Sequence, residues 1–265
     1  MVKEIMRANE INKSLIELQG KWYGALPDEY KNYGEVSSPF CLGVSEETAR
    51  EVREGRPLLM LVGEEPRNWW FNYGSHHHES DLEYLQGYAI AYYEKQVYGL
   101  TREVGGHDYY KEYSGGRNPF ARKNTSMFWS FIKRLHEKYA IVWNNLDKLH
   151  RIKDGKTVLI SEAEERLLHS IKPDGKTLLL GEIDLVKPDR VIFLGKAYKS
   201  SIECGLMLRD RLVETPELEI DKTAVEIRTD IADKVLWMCH PASLNRRGRG
   251  LFMPTVERVL ELLER

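Results

Sequence analysis

Four short apolar runs punctuate the chain: Leu58–Val62 (LLMLV), Ala140–Trp143 (AIVW), Arg190–Leu194 (RVIFL) and Lys234–Cys239 (KVLWMC). Each is largely continuous rather than alternating, and each gives way to polar residues or glycine. This pattern marks strands covered on both faces, as in a parallel sheet. Between the runs, apolar positions recur at helical spacing. Met127, Phe128, Phe131, Ile132 and Leu135 share one face of a helix that Asn124 or Thr125 would cap. Ser161 with Glu164 fits a capping box. Residues 197–213 read as another helix, and Pro254 suits the first turn of a last helix ending near Leu263. Strands alternating with helices predict βαβ units. The expected fold is α/β, a three-layer αβα sandwich on a central four-stranded, mainly parallel sheet.

Two segments fall outside that alternation. Residues 1–56 read as an N-terminal helical extension, with Ser45 capping a helix that carries Glu46 and Glu47 in its first turn and ends at Gly55. Residues 71–117 form a tyrosine-rich insertion with one helix from about Ser80 to Tyr98. Neither a repeat nor a low-complexity linker divides the chain, so residues 1–265 are expected to be a single domain.

Composition changes this picture little. Hydrophobic residues make up 42% of the 265, enough for a substantial core. Neither a membrane-spanning run nor an apolar leader of signal-peptide type is seen, and a cytoplasmic protein is expected. Cys41, Cys204 and Cys239 lie far apart and do not suggest a disulfide framework or a cysteine metal site. His76, His77 and His78 are adjacent and therefore point in different directions, which makes a poor metal-ligand set. The net charge of −2 excludes a bulk polyanion binder. It leaves room for a local basic patch, and Arg246, Arg247 and Arg249 form one.

Ligands of parallel α/β sheets bind at the carboxyl ends of the strands, so the residues after each run carry the candidate chemistry. They are Gly63-Glu64-Glu65-Pro66-Arg67, then Asn144-Asn145-Leu146-Asp147-Lys148, then Gly195-Lys196-Ala197-Tyr198, and last His240-Pro241-Ala242-Ser243-Leu244-Asn245-Arg246-Arg247-Gly248. This series resembles the uracil-DNA glycosylase superfamily over about residues 57–260. The GEEP after the first strand is similar to the family's first motif, and HPASL (240–244) followed by Asn-Arg-Arg-Gly to its last. Glu182-Ile183-Asp184-Leu185 with Pro188 and Val191 to Gly195 resembles the third strand and the helix before it. Gly116-Arg117-Asn118-Pro119-Phe120 is similar to a segment between the first two motifs.

The resemblance implies a monofunctional DNA glycosylase, a hydrolase that cleaves the N-glycosidic bond of a base flipped out of DNA without a metal or organic cofactor. His240 would stabilise negative charge developing on the departing base, which a neutral imidazole does by donating a hydrogen bond. Glu65, or Glu64 as its substitute, would position the attacking water. Asn145, or Asn144 by a one-residue slip, would read the base edge beside Gly63, since an amide both donates and accepts. Phe120 would stack on the base, with Trp69, Trp70 and Phe71 as rivals. Leu244 would fill the gap left in the duplex. Ser243, Arg246, Arg247, Arg249 and Lys148 would hold DNA beside it. Arg67 stands where the best-known branch carries a thymine-excluding tyrosine. That implies an atypical branch acting on uracil or a larger, modified base, in base-excision repair or in defence against phage DNA with altered pyrimidines. Two alternatives stay open. One is a catalytically degenerate nucleic-acid-binding module of the same fold, and the other a different nucleotide-handling α/β enzyme.

Overall fold

The computed structural model describes residues 7–31, 35–63, 81–112, 120–121, 125–154, 156–158, 160–195, 224–227, 229–246 and 250–265. All four apolar runs are strands. β1 (Leu58–Gly63), β2 (Ala140–Asn145), β5 (Arg190–Leu194) and β7 (Lys234–Met238) lie parallel in the order β2-β1-β5-β7. The sheet has five strands, not four. β6 (Ala224–Ile227) adds to β7 in antiparallel sense as an edge strand. Its four residues are too few for a strand signal in the sequence, and Glu226 is exposed and paired with Lys234 at 2.9 Å. A charge of this kind discourages edge-to-edge association. A separate hairpin joins β3 (Arg151–Lys153) to β4 (Lys156–Val158).

The continuous apolar runs are explained by helices on both faces. Leu58, Met60, Val62, Val142, Val191 and Phe193 point one way. They pack against residues of α1 (Ala8–Gly24), α2 (Glu46–Arg53) and α7 (Leu178–Val186). Leu59, Leu61, Ile141, Ile192, Leu194 and Leu236 point the other way, as alternation along a strand requires. Their cover is α5 (Met127–His136), α8 (Pro241–Arg246) and α9 (Phe252–Glu264), with Tyr93 from α3 (Leu82–Val97). Leu59, Met60 and Leu61 are fully buried, so each truncation to alanine costs about 2–5 kcal/mol.

Local signals set the helix boundaries. Ser45 accepts a hydrogen bond from the Thr48 N–H and starts α2, and Gly55 (φ 95°) follows its end. α6 (Glu162–Ser170) begins with the predicted Ser161–Glu164 capping box. The cap of α5 is Ser126, whose hydroxyl faces the Trp129 N–H, rather than Asn124 or Thr125. The helix expected from Ser80 to Tyr98 is α3, capped by Asp81. Pro254 lies in the first turn of α9. The helix expected over 197–213 lies outside the described residues. Among the described residues, no helix is long and apolar enough to cross a membrane.

Candidate functional site

Strand order reverses between β1 and β5. The chain leaves β1 for β2 on one side, then adds β5 and β7 on the other. A crevice opens outside the carboxyl ends of the strands at such a switch. Asn145 ends β2, Gly63 ends β1, Gly195 directly follows β5 and His240 stands two residues beyond β7.

Asn144 and Asn145 are the last two residues of β2 and not the loop beyond it, so alternation sends their side chains to opposite faces. Asn144 faces α7. Its Nδ2 donates to Glu182 Oε2 at 2.9 Å, and its Oδ1 accepts from the Asn145 N–H and from Lys148 Nζ. Glu182 is fully buried and also accepts from Gln19 Nε2 at 2.8 Å and from Lys148 Nζ at 2.9 Å. Asn144 is therefore a structural hub, and its hydrogen-bonding groups are not available to a base.

Asn145 shares the face of Ile141 and Trp143. It is 2% exposed, and its Nδ2 makes no hydrogen bond. Its amide lies across Gly63, where a Cβ would come within 2.4 Å of Asn145 Oδ1. Glycine is the one residue that lets this side chain lie over the end of β1. A buried polar group without a partner costs about 1–3 kcal/mol, and such groups mark places where another constraint outweighs stability.

His240 stands half-buried at the other end of this edge of the sheet. The Ala242 N–H donates to its Nδ1 at 3.2 Å, so a neutral ring carries its proton on Nε2. Its ring stacks on Phe128 at 5.9 Å, with 1° between the planes. Phe128 also meets Trp143 of β2 at 5.8 Å and so bridges the two ends of the crevice. Gly195 adopts φ 63°, a left-handed conformation suited to glycine, and a Cβ there would press on His240 Cβ at 3.2 Å. Its carbonyl accepts from Trp237 Nε1 at 2.6 Å, which ties the end of β5 to β7.

Several expected contacts fall elsewhere. Lys148 is buried with its ammonium on Glu182, and desolvation lowers its pKa despite that carboxylate; it does not face solvent where a phosphate would lie. Leu244 is fully buried among Met238, Val256 and Val259 rather than projecting as a wedge, because the turn of α8 directs it into the core. Ser243 spends both its N–H and its hydroxyl proton on the His240 carbonyl, at 2.8 and 2.7 Å, which leaves no donor for a phosphate. Phe120 packs ring against ring with Tyr88, Tyr92 and Tyr109 in an aromatic cluster. Arg246 is the last residue of α8. Glu64, Glu65, Arg67, Trp69, Trp70, Phe71, His76 to His78, Arg247 and Arg249 lie outside the described residues.

The structure thus brings Gly63, Asn145 and His240 to one edge. It adds Phe128 and Glu182, which the sequence offered only as a helix-face residue and as part of a motif. Spacing carries no signal for either role, because each arises from contacts between distant elements. Neither a protein-family model nor a curated protein matches the sequence.

Proposed function

We propose that the protein is a DNA glycosylase of the uracil-DNA glycosylase type, with the three-layer αβα architecture of that superfamily. It hydrolyses the N-glycosidic bond of uracil or another modified base flipped out of DNA. The observation that carries the reading is the Asn145 amide, buried beside Gly63 with its Nδ2 unpartnered at the carboxyl end of the sheet. An amide held this way offers a donor to a base carbonyl, and its rigidity removes the ordering cost on binding.

Asn145 and His240 stand three strand spacings apart, roughly 14 Å along the sheet edge. After the reach of the two side chains is subtracted, that gap accommodates a flipped base. Phe128 supplies an aromatic wall between them, a place the sequence assigned to Phe120. Water adds to C1′ as the glycosidic bond breaks, and the bonding electron pair leaves on the base. His240 Nε2–H donates to the oxygen where that charge collects, a contribution of the oxyanion-hole kind. Glu64 and Glu65 directly follow Gly63 in the sequence, and the carboxylate of one of them would orient the water. Arg246, Arg247 and Arg249, following His240 by a few residues, supply cations for the phosphates beside the flipped nucleotide.

The test is to incubate the protein with oligonucleotides carrying single uracil, hypoxanthine, hydroxymethylcytosine or glucosylated hydroxymethylcytosine, and to cleave abasic sites with alkali. Breakage at one of these bases is the expected result. DNA binding without breakage at any base would replace the enzyme with a nucleic-acid-binding module. Binding to free nucleotide but not to DNA would point to a different nucleotide-handling enzyme.

A further inference from the structure

Two residues beyond Asn145, Asp147 meets α6. Its Oδ1 lies 2.9 Å from His169 Nε2. Glu165 sits four residues before His169, a spacing that puts both on one face of the helix. One donor atom from each of Asp147, Glu165 and His169 lies within 4.8 Å of the other two. Beside them is a cavity of about 10 Å³ lined by Asp147, His169, Thr177, Leu146, Leu178 and Trp22. That is roughly the space of one water or one ion, and too small for an organic ligand.

One further donor, and an unspent atom of His169, point to what the cavity takes. Thr177 is 3% exposed and its Oγ1 makes no hydrogen bond, although it occupies the N-cap of α7 where a threonine usually bonds the helix. The Nδ1 of His169 is also buried without a partner. Lys148 lines the same cavity, but its ammonium is committed to Glu182 and Asn144. The site therefore gathers two carboxylates, an imidazole and a hydroxyl. These are lone-pair groups whose common complement is a cation.

We infer that Asp147, Glu165 and His169 form a site for one divalent transition-metal ion, with Thr177 at its edge. Mixed oxygen and imidazole donors suit Zn²⁺ or Mn²⁺. Donors about 2 Å from such an ion stand roughly 3–3.5 Å from one another, so only side-chain adjustment is required. The ion would clasp α6 to the exit of β2 and to the start of α7. It takes no part in base excision, and the inference stands or falls apart from the glycosylase reading.

The experiment uses the full chain, stripped with EDTA, dialysed and titrated calorimetrically with ZnCl₂ and with MnCl₂, followed by thermal melts. A single saturating equivalent of one metal is expected, with a rise in Tm because the ion binds only the folded chain. The H76A/H77A/H78A triple variant should retain that binding. D147N and H169Q should lose it, and Thr177→Val should weaken it about tenfold, as loss of a peripheral ligand does. Far-UV circular dichroism reports whether D147N folds. If it does not, E165Q, altered at the least buried of the three ligands, must show the same loss. No binding of either metal, binding that disappears with the triple histidine variant, or unchanged affinity in E165Q and H169Q would overturn the proposal and leave the cavity to a water molecule.

Discussion

At the β2 end of the sheet edge, Asn144, Lys148 and Glu182 are buried and consume one another's hydrogen bonds, while on the opposite face of β2 Asn145 Nδ2 makes none. At the β7 end, the polar groups of His240 and Ser243 shape a short turn, and the imidazole stands half-buried against Phe128. One end is buried and built on an internal ion pair. The other is more open, with an imidazole at the start of a short helix. The difference teaches that charge near a strand end is not by itself a ligand contact. Lys148 and the arginines after Leu244 read alike in sequence, yet Lys148 is spent inside the protein.

Four experiments bear on this contrast, in falling order of effect. Lys148→Ala strips the buried Glu182 of its cation. It should lower stability by about 3–5 kcal/mol, read as a fall in the urea midpoint. The salt dependence of DNA binding should not change. An undiminished midpoint with a shallower salt slope would restore Lys148 as a phosphate contact. His240→Ala should cut single-turnover excision by about 10²–10³, as loss of one oxyanion donor does, with little effect on Tm. Excision at the parental rate would remove His240 from the chemistry.

His150, 1% exposed, tests the buried end through pH. Burial depresses its pKa from 6.5 to about 4. Between those values the unfolded chain binds the proton and the folded chain does not, so stability rises with pH. The contribution is complete above the unfolded pKa and is lost as pH falls from about 6.5 towards 4, to a total of about 3 kcal/mol. His150→Phe should flatten that acid limb in urea titrations. A limb of the same depth would assign it to other groups. The smallest effect is expected at the two asparagines. Asn144→Ala should cost about 1–3 kcal/mol because it leaves Glu182 and Lys148 short of a partner, whereas Asn145→Ala should change stability by less than about 1 kcal/mol while slowing excision about tenfold. Equal losses of stability would show that the Asn145 amide is structural after all.

Much of the frame was legible because its causes are local. LLMLV, AIVW, RVIFL and KVLWMC became parallel strands, and the Ser45 and Ser161 caps started their helices. The edge strand AVEI escaped notice because four residues carry little pattern, and its pairing is supplied by β7. Of the candidate site, the strand-end positions of Gly63, Asn145 and His240 were readable. The choice between Asn144 and Asn145 was not. It turned on which face of β2 meets Glu182, a residue of α7.

The sequence alone determined the α/β alternation, the four parallel strands and the residues set at their carboxyl ends. Hydrophobic periodicity and capping act over a few neighbouring residues, so the chain carries them wherever it folds. The tertiary structure decided what each polar or apolar residue at those ends does. It buried Lys148 on Glu182, 34 residues away, sank Leu244 and Phe120 into apolar clusters, and set Phe128 against His240. The same side chain binds a phosphate in water or completes an ion pair in the core, according to which distant elements close around it. The free energy of a charge or an amide is set by that surrounding dielectric and those partners, and neither is written in its neighbours along the chain.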